Sequence, residues 1–182
     1  MEEQNEKMWI PWANLLLIAI NVLVFLWGAL PELTGRSASI LYRAGGLFAP
    51  LLLKGQDFYR LVTAIFLHAD AAHLFNNMIV QFAGGEIAER NLGHFRYAVL
   101  YLLSGIIGNV VSVFADYLTG SYAFSVGASG AVFGVIGALS CEWFARRKHR
   151  YLSLVALAIL AELLQCGIIL LLCKPFSTAA LF

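Results

Sequence analysis

Long runs of apolar residues, separated by short polar segments, dominate the chain. Each run has roughly 20 residues, the length that a helix needs to cross the hydrocarbon core of a membrane. The second run contains a cluster of polar side chains: His68, Asp70, His73, Asn76 and Asn77. The pattern predicts one all-α polytopic membrane domain over residues 1–182, with five transmembrane helices at 12–30, 61–85, 97–115, 129–144 and 152–173.

Composition supports this interpretation and excludes several other classes of protein. Hydrophobic residues make up 60% and charged residues 13% of the chain, whereas about 25% of an ordinary soluble domain is charged. A net charge of +1 gives no electrostatic support for a nucleic-acid partner. The three cysteines all lie in or beside apolar runs, which argues against a secreted disulfide scaffold.

The distribution of lysine and arginine predicts the orientation of the helices. Arg90 and Arg96 lie between the second and third runs, a basic segment at 146–150 separates the fourth from the fifth, and no basic residue lies between the third and fourth. The positive-inside rule then places the N-terminus in the cytoplasm. Residues 1–11 lack the basic start of a signal peptide, so we expect an integral protein of a bacterial cytoplasmic membrane.

The segment between the first two runs is too long for a simple turn. It has about 35 residues of mixed composition, and many of its positions are apolar. We expect a folded, half-immersed loop with short amphipathic helices.

Polar side chains inside a membrane helix are costly and therefore indicate a functional site. His73 and Asn77 are four residues apart and share one helical face, whereas His68 lies outside that face. The two residues supply an imidazole and an amide donor. The alternative is that they cap a helix or form hydrogen bonds between helices.

A second candidate site surrounds Ser129, which lies between Gly127 and Gly130. A serine at the start of a helix has unpaired backbone N–H groups beside it, which suits a nucleophile with its own oxyanion donor. The alternative is helix packing, because Gly130, Gly134 and Ala138 repeat every four residues.

Considered together, these motifs resemble the rhomboid family of intramembrane serine proteases. The resemblance covers residues 59–145 and rests on four groups of residues: Tyr59-Arg60; His68, His73 and Asn77; Gly85, Glu89 and Gly93; and Gly127-Ala128-Ser129-Gly130. It implies that Ser129 attacks a peptide bond of a membrane-protein substrate. By the same resemblance, the Ser129 N–H, His73 and Asn77 hold the oxyanion, and His68, Gly127 and Gly130 support the motif.

The general base of the family, a histidine on a sixth helix, has no match in this chain. The histidines are at 68, 73, 94 and 149, and the last two are expected on the cytoplasmic side. Glu162, near Gln165, is the remaining acid–base candidate, with a buried hydrogen bond between helices as its alternative. Residues 174–182 do not resemble the sixth helix, and we expect a truncation or frame-shift there. The loss of that helix would leave Gly130, Gly134 and Ala138 in a groove facing lipid.

Two functions from different classes therefore remain open. The chain is either a rhomboid-type serine endopeptidase or a non-catalytic relative that binds client transmembrane helices. A channel or transporter finds no support, because the sequence has no inverted repeat and no ring of charges. We expect no metal or organic cofactor, since His73 and Asn77 lack a neighbouring carboxylate or thiolate cluster.

Overall fold

The computed structural model describes residues 9–29 and 38–146. The chain divides into two compact units, residues 1–139 and 140–182. In the second unit the structure describes residues 140–146, which are helical. The elements are α1 (Trp12–Ala29), α2 (Ala38–Arg43), β1 (Leu47–Phe48), α3 (Ala49–Leu53), α4 (Arg60–Thr63), a 3-10 turn (Ala64–Phe66), α5 (Ala71–Leu92), α6 (His94–Thr119), β2 (Phe124–Ser125) and α7 (Ser129–Arg146). The predicted span 152–173 lies outside the described residues.

The first unit is a helix bundle in which α1, α5 and α6 contact one another. Among the described helices, α6 is long and apolar enough to cross a membrane, and Trp12–Gly28 and Ser129–Ser140 are shorter apolar helices. The all-α bundle predicted from the sequence is confirmed. The strands are limited to the short antiparallel pair β1–β2 in the described residues.

The predicted second span, 61–85, is wrong in its bounds. The chain forms α4 and the 3-10 turn and then becomes extended at Leu67. A new helix begins after Asp70, because the Asp70 side chain accepts a hydrogen bond from the His73 backbone N–H at 2.8 Å. A cap of this kind satisfies one of the backbone N–H groups that a helix start leaves unpaired, and α5 then continues to Leu92.

The loop between α1 and α5 is folded and contains short helices, as the sequence predicts. Arg60, which is 3% exposed, holds it together. Its guanidinium group donates to the carbonyl oxygens of Tyr42 at 2.7 Å and Gly46 at 2.8 Å, and to the carboxylate of Asp57 at 2.9 Å. Strand β1 of this loop pairs with β2, with Leu47 opposite Ser125. The loop is thereby joined to the segment that precedes α7.

Small residues bring α6 and α7 close together. A Cβ on Gly130 would lie 3.4 Å from the Gly108 Cα, and a Cβ on Gly134 would collide with the Ser104 side chain. The expectation that Gly130 and Gly134 face lipid is therefore wrong, because α6 covers both glycines. The alternative interpretation of the four-residue repeat, helix packing, is confirmed for these two positions.

Candidate functional site

Ser129 is the first residue of α7 and is half-buried. The turn before it depends on Gly127, whose φ of +132° is rarely adopted by residues with a side chain. The Gly127 N–H donates to the Ala64 carbonyl oxygen at 2.9 Å, which fixes this turn against the 3-10 segment. At the start of a helix the first backbone N–H groups have no partner within the helix. Ser129 therefore lies at a position that favours a developing negative charge.

His73 lies in the first turn of α5, and its ring packs against Gly127. A Cβ on Gly127 would lie 2.6 Å from His73 Cε1 and 2.8 Å from Nε2, so the backbone and the imidazole are in close contact. Gly127 is two residues before Ser129. The structure thus brings together the two motifs that the sequence presents far apart.

His68 connects the same two segments from the other side. It is fully buried, and its Nε2 accepts a hydrogen bond from the Ala128 N–H at 3.4 Å. Its ring meets the His73 ring edge to face, with centroids 5.2 Å apart. His68 therefore supports the turn that carries Ser129.

Asn77 lies one turn beyond His73 on α5 and is fully buried. Its amide nitrogen and oxygen have no hydrogen-bond partner among the described residues. A buried amide that is left unpaired is costly and needs an explanation. A ligand atom that accepts a hydrogen bond from the Asn77 amide nitrogen would provide one of the missing partners.

His94 lies too far from Ser129 to act as its general base. It lies at the opposite end of α5, where its Nδ1 contacts the Glu89 carboxylate. The 22 residues of α5 correspond to about 33 Å. Among the side chains that the structure describes, none forms a hydrogen bond with the Ser129 hydroxyl. His149, Glu162 and Gln165 lie outside the described residues.

Sequence reasoning assigned no role to two polar residues, Asp70 and Gln81. Asp70 caps α5 and so positions His73, and an Asp directly before a helical pattern is a recognisable start signal. Gln81 is fully buried, four residues after Asn77 on the same face of α5. The same spacing argument that paired His73 with Asn77 could have included it.

Comparisons with known proteins agree with this arrangement of an all-α bundle with a glycine-flanked serine. Residues 55–181 match the Rhomboid domain family. The chain belongs to the rhomboid family and is an integral membrane protein. The match extends well beyond residue 145, where the resemblance of the motifs ended.

Three relatives illustrate the extent of the similarity. RHOMBOID-like protein 4 of Arabidopsis thaliana is 39% identical over 112 residues, 62% of this chain and 27% of the relative. Rhomboid-like protease 1 of Toxoplasma gondii is 38% identical over 118 residues, 63% of this chain and 39% of the relative. Rhomboid protease GluP of Bacillus subtilis (strain 168) is 36% identical over 148 residues, 80% of this chain and 27% of the relative. The chain thus spans well under half the length of these relatives, and no solved structure matches it.

Proposed function

We propose that the chain is a rhomboid-type intramembrane serine endopeptidase that cleaves membrane-protein substrates. The contact between Gly127 and the His73 ring supports this proposal most directly. Because of this contact, the imidazole of His73 lies two residues from Ser129, at the turn that precedes α7.

The proposed reaction assigns a role to each group. Ser129 Oγ attacks the carbonyl carbon of the scissile peptide bond while a base takes the hydroxyl proton. The carbonyl oxygen becomes an oxyanion, which accepts hydrogen bonds from the Ser129 N–H, His73 and Asn77. The C–N bond then breaks, the leaving amine takes the proton, and water hydrolyses the acyl-enzyme. The base is the group that this proposal still requires.

That requirement favours a second candidate function, a non-catalytic rhomboid relative that binds client transmembrane helices. The observation in its favour is that, among the described side chains, none accepts a hydrogen bond from the Ser129 hydroxyl. Without proton removal a serine is a weak nucleophile, and loss of one catalytic member can approach loss of the whole unit.

We also propose that the N-terminus faces the cytoplasm and that the protein resides in a bacterial cytoplasmic membrane. The two arginines beside the turn between α5 and α6, Arg90 and Arg96, support this orientation.

A fluorophosphonate probe and a model membrane substrate distinguish the two functions. Wild type, Ser129→Ala and the control Ser121→Ala would be compared in detergent, since Ser121 is an exposed serine in the loop before β2. A protease shows labelling and cleavage in wild type and Ser121→Ala, both lowered at least about 1000-fold in Ser129→Ala. A folded wild type that is neither labelled nor active contradicts the protease proposal. If such a protein co-purifies with a client helix and Ser129→Ala does not change this, the binding function is supported.

A further inference from the structure

A row of polar side chains follows α5 along most of its length. His73, Asn77 and Gln81 recur every four residues, and Glu89 lies eight residues further on. Because each step of four residues advances about 40° around a helix with 3.6 residues per turn, the row winds gradually around α5. Asn77, Gln81 and Glu89 are fully buried. We call the set formed by Asn77, Gln81, Tyr97, Asn14 and Glu89 the polar row.

The end of the polar row at Glu89 is fixed by hydrogen bonds. The Glu89 carboxylate accepts from the backbone N–H groups of Ala13 at 3.0 Å and Asn14 at 2.7 Å. The Asn14 side-chain oxygen accepts from the Tyr97 hydroxyl at 2.7 Å. Gly85 provides the space for this contact, since a Cβ there would lie 2.5 Å from the Tyr97 oxygen.

Gln81 lies between this fixed end and Asn77. Its amide is next to the Tyr97 hydroxyl, although the amides of Gln81 and Asn77 have no hydrogen bond of good geometry among the described residues. Residues four apart on a helix have Cβ atoms about 6 Å apart. The two amides can therefore bond directly after a small rotation, or through one water molecule.

The donor directions then follow from chemistry. Tyr97 uses its one hydroxyl proton on Asn14, so its oxygen can only accept a further hydrogen bond. A hydrogen bond between the Gln81 amide and this oxygen would therefore use the Gln81 nitrogen as donor, which leaves the Gln81 oxygen as an acceptor on the side of Asn77. The Asn77 nitrogen would then donate one N–H to that oxygen and keep the second N–H for another acceptor.

We propose that Gln81 is a positioning residue, which holds the Asn77 amide so that its second N–H points toward the peptide oxygen of a substrate at Ser129. This inference rests on the proposed role of Asn77 in the oxyanion site. In this arrangement Tyr97 orients the Gln81 amide, and Gln81 determines which of its two amide orientations Asn77 adopts.

The first test does not depend on activity. In protein labelled with ¹⁵N-asparagine, the Asn77 side-chain signal is identified by its loss in Asn77→Ala. Gln81→Met and Tyr97→Phe should both shift this signal. The control Gln56→Met, at an exposed glutamine, should leave it unchanged. An unmoved Asn77 signal in folded Gln81→Met overturns the proposal.

The second test measures the rate of fluorophosphonate labelling. Gln81→Met should slow labelling about 10-fold, because small misplacement of a catalytic group has effects of up to about 100-fold. In the Asn77→Ala background the same change should have no further effect. An equal loss in both backgrounds contradicts action through Asn77. If wild type is not labelled, the proposed protease function is refuted. The positioning role of Gln81 is then tested by the Asn77 side-chain NMR signal of the first experiment.

Discussion

Gly127 determines how closely the segment before α7 approaches α5. Its backbone has a positive φ, and its missing Cβ leaves the space that the His73 ring occupies. Two separate constraints therefore select glycine at this position. Gly55 is a control for the positive φ without the close contact, because it has a φ of +75° with nothing within 4 Å of a Cβ.

We predict that Gly127→Ala removes fluorophosphonate labelling, whereas Gly55→Ala retains it. Gly55→Ala suffers the strain of a left-handed backbone, about 1–2 kcal/mol. The φ of +132° at Gly127 lies outside the left-handed helical region, so the backbone strain of an alanine there is larger, up to about 3 kcal/mol. Gly127→Ala also pushes His73 or the Ser129 turn away, which adds an overpacking cost of about 1–3 kcal/mol. Unfolding curves and labelling rates measure the two effects. Equal losses in the two variants would show that the contact with His73 is unimportant.

Glu89 connects two elements, because it lies on α5 and caps the N-terminus of α1. Its two hydrogen bonds satisfy backbone donors that a helix start leaves free. His94, at the start of α6, contacts the same carboxylate and lies under the rings of Trp9 and Trp12, at 5.4 and 4.8 Å. Three helix ends are therefore joined at one buried acid.

We predict that Glu89→Gln lowers the free energy of unfolding by about 2 kcal/mol, since hydrogen bonds to a charged group and the helix dipole are both weakened. Glu86→Gln is the matched control, because the Glu86 side chain is 43% exposed and pairs with Arg90 at 3.3 Å. An exposed pair is worth less than about 1 kcal/mol. Denaturant unfolding in detergent compares the two variants. A Glu89→Gln protein as stable as Glu86→Gln would show that the carboxylate charge does not hold α1.

Local patterns predicted some elements well and missed others for definite reasons. The start of α7 at Ser129 follows from the glycines around it, and α1 begins at Trp12, where the apolar run begins. The break before α5 was missed because hydropathy does not register a single capping residue, Asp70. The β1–β2 pair was missed because it joins segments far apart in the sequence.

In the candidate site, too, the sequence predicted relations within one helix but not contacts between elements. Spacing alone placed His73 and Asn77 on one face, and the structure puts the His73 ring against Gly127. The hydrogen bond from Ala128 to His68 could not be derived from spacing, because it crosses between elements. The hydrogen bonds from Arg60 to two backbone carbonyl oxygens are also tertiary contacts. The family resemblance identified Arg60 but not its partners.

At the scale of the whole first unit, polar contacts and small residues join the helices. Asn21 donates to the Tyr101 hydroxyl at 3.1 Å, and Tyr97 donates to Asn14 across the same helix pair, α1 and α6. Gly108 and Gly130 allow α6 and α7 to approach closely. Lipid offers no hydrophobic driving force between helices, so contacts of these kinds must supply the association.

The same unit makes the proposed orientation testable, because its two ends are far apart. Strands β1 and β2 hold the first loop and the loop before α7 together. Helix α5 then carries the chain about 33 Å away over its 22 residues.

We predict that Lys54→Cys and Ser121→Cys react with an impermeant maleimide added outside intact cells, in a background without Cys141, Cys166 and Cys173. Asn91→Cys should react only after the cells are lysed. Reaction of Asn91→Cys in intact cells, with protection of the other two, would reverse the orientation and place Ser129 near the cytoplasmic face. Reaction at all three positions would mean that α5 does not cross the membrane.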